Sequence, residues 1–239
     1  MQKSKDIGSL GSENKNERKG YRQKEWDMGI SVVTTTWNER ENIKELILRV
    51  RSVLRDFPHE IIVVDDSSSD GTFDVAKCFA DLAVSKVREG QTKGLLYGMK
   101  LARFPVIVTI DADLENNPDF IISLVNRLDK LDLVVASRTT VPRFSEKLAS
   151  RTLGKMLGVS DFFSNFRAYK KETIAQFNLR GGETFGGEIL VIAKKHGFKI
   201  GEVMYEPPPR RSNPRIGGKI KANLRITIAL LKCCIIYLV

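Results

Sequence analysis

The chain has 239 residues, 42% of them hydrophobic and 28% charged, and a net charge of +10. That is enough for one α/β domain with a sizeable core, at an ordinary soluble composition. Three cysteines, Cys78, Cys233 and Cys234, make neither a disulfide framework nor a zinc pattern and fit a reducing compartment. The positive charge is unevenly placed. From Lys194 onward ten Lys/Arg stand against Glu202 and Glu206, so that segment carries about +8. Such a concentration implies an anionic partner: nucleic acid, a phosphorylated ligand or an anionic lipid surface.

Residues 1–28 are rich in Lys, Glu, Ser, Asn and Gly, without apolar periodicity or an apolar leader. They read as a disordered polar tail. From Gly29 the chain alternates. Residues 30–36 form a first strand, and Ile43, Leu46, Ile47, Val50, Val53 and Leu54 recur at helical spacing over 41–56. A buried strand at 61–64 ends in Asp65-Asp66-Ser67-Ser68-Ser69-Asp70-Gly71-Thr72, a loop of turn and cap residues that opens another helix. A third strand is expected over 82–87, a helix over 92–102 and a fourth strand over 105–110. Pro118 suits the first turn of the next helix, and a fifth strand follows over 131–137. Alternating strands and helices with short links predict parallel pairing, with helices on both faces of the sheet. Later elements are less regular: a helix over 144–159, an irregular strand over 161–169, a helix over 187–196 and an edge strand over 199–205. Pro207-Pro208-Pro209 leads into a basic loop holding Arg210, Arg211 and Arg215, and residues 221–239 read as helical.

The fourth strand runs straight into Asp111-Ala112-Asp113-Leu114-Glu115. In an extended backbone residues i, i+2 and i+4 share a side. If that geometry persists past the strand, Asp111, Asp113 and Glu115 converge, and their mutual repulsion calls for a hard cation. Mg²⁺ or Mn²⁺ is bound in this way, by carboxylates and substrate phosphates. Asn38-Glu39 and Asp65-Asp66 also lie at strand carboxyl ends, where parallel α/β sheets bind ligands.

Together these stretches resemble the family 2 glycosyltransferases of GT-A fold, and within them the dolichol-phosphate mannose synthase branch. The resemblance covers roughly residues 30–221. It rests on Thr36-Trp37-Asn38-Glu39-Arg40-Glu41-Asn42, on Val63-Val64 with the Asp65–Thr72 loop, on Lys93-Gly94-Leu95 and on Asp111-Ala112-Asp113-Leu114-Glu115. Ala136-Ser137-Arg138 and Ser164-Asn165-Phe166-Arg167-Ala168-Tyr169 add to it. Thr35 stands where the family has proline, and Glu115 where the branch often has Gln.

The resemblance implies a GT-A domain over 29–221 with a mostly parallel central sheet, followed by an apolar and basic helix over 222–239. It implies a metal-dependent inverting transfer of a hexose from a nucleotide-diphosphate sugar, GDP-mannose or UDP-glucose, to a polyprenyl (dolichyl) phosphate. Thr35, Trp37, Glu39, Asp65, Asp66 and Ala112 would contact the donor, with Trp37 flanking the base and the acids accepting from base and ribose. Lys93 and Arg138 would neutralise phosphate charge, and Arg211, Arg215 and Lys219 would clamp the diphosphate from a mobile loop. Asp111, Asp113 and Glu115 would hold Mg²⁺ or Mn²⁺.

A phosphate acceptor is mostly ionised near neutrality and needs no general base. A sugar hydroxyl needs one, and after Arg138 only Glu183 and Glu188 offer it. Residues 226–239 are too short, with a central Lys232, to span a bilayer. They could lie in an anionic interface on the cytoplasmic face, or pack on the domain or in a homodimer. The alternatives are a soluble transferase acting on a glycan or small hydroxyl, and a basic nucleic-acid-binding module. The second leaves the acidic strand ends unexplained, so nucleic acid is not the expected partner.

Overall fold

The computed structural model describes residues 29–141, 143–207 and 219–238. The polar tail and the basic loop with Arg210, Arg211 and Arg215 lie outside the described residues, as does the side chain of Lys219. The strands are β1 (Ile30–Thr36), β2 (His59–Asp65), β3 (Leu82–Ser85), β4 (Val106–Thr109), β5 (Leu133–Arg138), β6 (Arg167–Lys170) and β7 (Ile200–Tyr205). The helices are α1 (Arg40–Leu54), α2 (Thr72–Phe79), α3 (Gln91–Leu101), α4 (Ile121–Arg127), α5 (Phe144–Ala149), α6 (Lys155–Leu157), α7 (Gly187–Lys195) and α8 (Lys219–Leu238). A π turn over Ser150–Gly154 joins α5 to α6, so the expected helix over 144–159 forms with one irregular turn.

The strands make one sheet in the order β3-β2-β1-β4-β6-β5-β7. All pairings are parallel except those of β6, which runs antiparallel between β4 and β5. This corrects the irregular strand expected over 161–169. Only its last residues pair, and they do so against the direction of their neighbours. The outer place of β7 beside β5 matches the edge strand expected over 199–205, and β3 forms the other edge.

Side-chain alternation divides the core. Val33, Ile62, Val64, Ile107, Leu133 and Val135 face one layer, which α3, α7 and α8 cover. Val32, Ile61, Val63, Val106, Val108 and Val134 face the other, under α1 and α4. Two glycines bring α3 close to the sheet. A Cβ at Gly94 would press on the Thr35 side chain, and one at Gly98 would fall inside Val33. Helix α8 is part of this core, because Ala222, Ile226, Ala229, Leu230 and Cys233 are all buried.

Chain order is 3-2-1 on one side of β1 and restarts with β4 on the other. The carboxyl ends of β1 and β4 therefore flank the point where strand order reverses. In open α/β sheets that is where a crevice forms.

Candidate active site

A cleft of ≈ 630 Å³ opens at this reversal. Thr35, Thr36, Trp37 and Glu39 line it from the end of β1, Asp66 from the end of β2, and Asp111, Ala112 and Asp113 from the end of β4. Hydrogen bonds between the loops fix these ends. The Asp66 N–H donates to the Thr36 carbonyl at 2.9 Å, and the Asn38 N–H to Ser68 Oγ at 2.9 Å. The Glu39 N–H donates to Thr72 Oγ1 at 2.8 Å, while its carboxylate accepts from Asn42 Nδ2 at 2.8 Å.

Among the described residues, the non-glycine ones with positive φ are Asn38 (57°), Ser67 (62°), Leu114 (61°) and Phe185 (48°). Three of them follow β1, β2 and β4, and Phe185 lines the cleft. Such conformations cost free energy and concentrate where function constrains the backbone.

Asp65 and Asp66 divide their work. Asp65 is buried and accepts from Thr36 Oγ1 (3.1 Å), the Ser68 N–H (2.9 Å) and Ser85 Oγ (3.4 Å). It ties three strand ends together and is not among the residues that line the cleft. Asp66 does line it. Burial opposes its charge, but hydrogen bonds from Lys86 Nζ (2.8 Å) and the N–H groups of Glu89 (3.0 Å) and Gly90 (2.9 Å) prevail. With the charge of Lys86 they hold its carboxyl below the usual range.

Asp111 is held from both sides, by Gln91 Nε2 at 2.5 Å and Asn116 Nδ2 at 3.1 Å. Asn116 in turn accepts from the buried Tyr205 hydroxyl at 2.6 Å. Burial and the negative charge of Asp113 push the Asp111 carboxyl up to about 7. The pair thus has the oxygen donors and the excess negative charge that suit a hard divalent cation. Glu115 is not among the cleft residues. The chain leaves extended geometry after β4, turns at Ala112-Asp113 and reverses at Leu114, so the i, i+2, i+4 alternation breaks before Glu115. Among the described residues no three His, Cys, Asp or Glu are placed to hold a metal by themselves. Two aspartates with substrate phosphates and water fit Mg²⁺ or Mn²⁺ better than the expected carboxylate triad.

Two expected phosphate contacts lie outside the cleft lining. Lys93 falls on the exposed stripe of α3 with Tyr97 and Lys100, because Gly94 and Gly98 must face the sheet. It pairs with Glu89 at 2.8 Å. Arg138 ends β5 in a two-pronged pair with Asp161, Nε–Oδ2 2.6 Å and Nη2–Oδ1 3.2 Å, with Glu146 at 3.8 Å. Asp161 is 1% exposed, so removing its partner strands a buried charge. Arg138→Ala should cost about 3–5 kcal/mol of stability, read from the denaturant midpoint. The double variant with Asp161→Ala should recover part of that loss, and a double variant as unstable as the single one would contradict the structural role. Arg211 and Arg215 lie outside the described residues.

Several cleft residues carried no motif. Arg88 and Gln91 come from the segment after β3, and the Arg88 guanidinium lies 3.5 Å over the Trp37 ring. The rule that ligands gather at strand carboxyl ends would have found them. Glu183 accepts from the Thr92 hydroxyl and N–H and from the Phe185 N–H, capping α3. Glu188 is fully buried and accepts from the N–H groups of Arg180 and Gly181. Arg225, Ile228 and Lys232 reach the cleft from α8. Arg167, from the last motif, is fully buried and donates to the carbonyls of Gly186 and Phe162, so its role there is to hold the turn before α7.

The chain is similar to a dolichol-phosphate mannosyltransferase of Pyrococcus furiosus, 33% identical over 215 residues, covering 80% of this chain and 60% of the relative. It is also 30% identical over 171 residues to a dodecaprenyl-phosphate galacturonate synthase of Rhizobium johnstonii, covering 64% of this chain and 51% of that protein. The chain thus spans between half and two thirds of the length of these relatives. Among solved structures it superposes on glucosyl-3-phosphoglycerate synthase of Mycobacterium tuberculosis in complex with Mn²⁺, UDP and glucosyl-3-phosphoglycerate. The TM-score is 0.71 at 25% identity, over 87% of this chain and 80% of the other. Mannosyl-3-phosphoglycerate synthase of Rubrobacter xylanophilus shares the fold, with a TM-score of 0.71 at 18% identity over 90% of this chain and 75% of that one. The glycosyl transferase family 2 profile matches residues 31–187, most of the strands and the whole acidic side of the cleft, and the chain therefore belongs to glycosyl transferase family 2.

Proposed function

We propose that this protein transfers a hexose, with inversion, from a nucleotide-diphosphate sugar of the GDP-mannose or UDP-glucose type to a polyprenyl phosphate. The observation that carries the reading is the cleft at the strand-order reversal. It sets Trp37 and Asp66 beside the Asp111–Asp113 pair. In this reading the base stacks on Trp37 and Asp66 accepts from its N–H or from the ribose. Gln91 and Asn116 keep the Asp111 carboxylate aimed. A divalent cation bound by Asp111 and Asp113 would offset the charge that builds on the departing diphosphate. An acceptor phosphate oxygen forms the new bond to the anomeric carbon as the bond to the diphosphate breaks.

The engagement of both late carboxylates supports a phosphate acceptor. Glu183 and Glu188 already accept protein N–H groups, and a hydroxyl acceptor would require a free base. The relatives' names point the same way. The soluble alternative draws support from the similar glucosyl-3-phosphoglycerate synthase, whose structure is a complex with Mn²⁺, UDP and glucosyl-3-phosphoglycerate. No helix among the described residues is long and apolar enough to cross a membrane. The row Ile220, Leu224, Ile228, Leu231, Ile235 and Leu238 is nevertheless exposed along α8. With Lys221 and Arg225 on the same helix it supports peripheral attachment to an anionic membrane on its cytoplasmic face.

Calorimetry with nucleoside, monophosphate and diphosphate tests the donor half. Trp37→Ala should weaken the whole series about tenfold, since base stacking contributes about 1–3 kcal/mol. Asp66→Asn should do the same, while the gain from nucleoside to diphosphate persists and depends on Mn²⁺. Unchanged nucleoside binding in both variants would place the base elsewhere. GDP against UDP identifies the donor class.

A further inference from the structure

Resting on that reading, we propose that Arg225 and Lys232 form the subsite for the acceptor's phosphate monoester. Residues 225, 228 and 232 share one helix face, and all three line the cleft. The acids Glu39, Asp66, Asp111, Asp113 and Glu183 line it too. None of the ion pairs among the described residues engages Arg225 or Lys232. Lys232 Nζ donates to the Gly181 carbonyl at 2.8 Å, which leaves two of its three N–H groups for a ligand. Arg225 is exposed and offers a planar fork suited to phosphate.

Two anions must meet in a transfer of this kind, and each needs its own counter-charge or it repels the other. The carboxylate pair at Asp111 and Asp113 serves the donor diphosphate through a cation. The cations on α8 then serve the second anion. Ile228 decides which anion that is. It lines the cleft between the two cations and is also 46% exposed, within the apolar row of Leu224, Leu231 and Ile235. A phosphate that ends an apolar chain can therefore sit between Arg225 and Lys232 while its chain leaves along α8.

The test is calorimetry on the full chain with farnesyl phosphate, farnesol, phosphoglyceric acid and inorganic phosphate, alongside GDP and UDP with Mn²⁺. The wild type should bind farnesyl phosphate at least about tenfold more tightly than farnesol, the scale of one charge-assisted contact. Arg225→Gln and Lys232→Met should each weaken farnesyl phosphate about tenfold and leave nucleotide diphosphate within about twofold. Arg225→Lys and Lys232→Arg should restore most of the loss. Arg225→Gln alone suffices if loss of the Lys232 contact to Gly181 unfolds the protein. Phosphoglyceric acid binding more tightly than farnesyl phosphate, and failing in the same variants, would support the subsite with a soluble phosphoester as its source. Equal losses for nucleotide diphosphate would overturn the proposal, since the pair would then be a donor clamp. Wild-type binding of nucleotide without any phosphomonoester would overturn it too, while leaving the donor half of the proposed function standing.

Discussion

Asp113→Ala is expected to abolish sugar transfer, with a fall in kcat of about a thousandfold or more, the scale seen when a charge-stabilising group is removed from a reacting centre. The fold should survive. Asp113 sits beyond the end of β4, where its carboxylate accepts a local hydrogen bond from the Glu115 N–H at 3.0 Å. Nucleotide-diphosphate binding should also lose its dependence on Mn²⁺ or Mg²⁺, because the cation would keep a single carboxylate. Glu115→Ala should do far less, since the reversal at Leu114 takes Glu115 out of the cleft lining. The pair separates the two-carboxylate site from the triad expected from the sequence. An Asp113→Ala enzyme with full, EDTA-resistant activity would falsify the metal reading at its centre.

The second large effect concerns α8. Deletion after Lys221 should unfold the protein rather than merely detach it from a surface. Ile226, Ala229, Leu230 and Cys233 are buried in the same cluster as Leu153, Leu157 and Ile189. Burying one Leu or Ile side chain contributes about 1.5–3 kcal/mol, and deletion also bares the residues beneath. Against a total stability of about 5–15 kcal/mol, several such losses together are decisive. Leu230→Ala alone should cost about 2–5 kcal/mol. The opposite face gives the control. Leu224→Ser, Leu231→Ser and Ile235→Ser together should leave the Tm within a few degrees, because these residues are exposed. If that face meets lipid, the triple variant should no longer sediment with anionic liposomes at low salt, and the wild type should be released at high salt. A truncated chain with the wild-type Tm would contradict the packing of α8. Liposome binding unchanged in the triple variant would exclude this face as the attachment.

What the sequence determined by itself was the local part of this account. Alternation of apolar residues at period two and at helical spacing placed β1 to β5, α1 and α3 to within a few residues, because those patterns follow from backbone geometry alone. The same holds for the strand ends at Thr36, Asp66 and Asp111. A chain that leaves a buried strand must carry its polar residues there, and Asp66, Asp111, Asp113, Trp37 and Glu39 do line the cleft. The tertiary structure decided what depends on contacts between distant segments. Pairing against β4 and β5 makes β6 antiparallel, and nothing in Arg167–Lys170 encodes that direction. The close approach of α3 through Gly94 and Gly98 sets its rotation, and so sends Lys93 to solvent. The left-handed turn at Leu114 withdraws Glu115. Asp161, 23 residues from Arg138, captures its guanidinium, and Asp65 serves three strand ends. The placement of α8 brings Arg225 and Lys232 into the cleft. Their charge was evident in the sequence, but its location was not, since only packing of the buried face against the core decides where the other faces point.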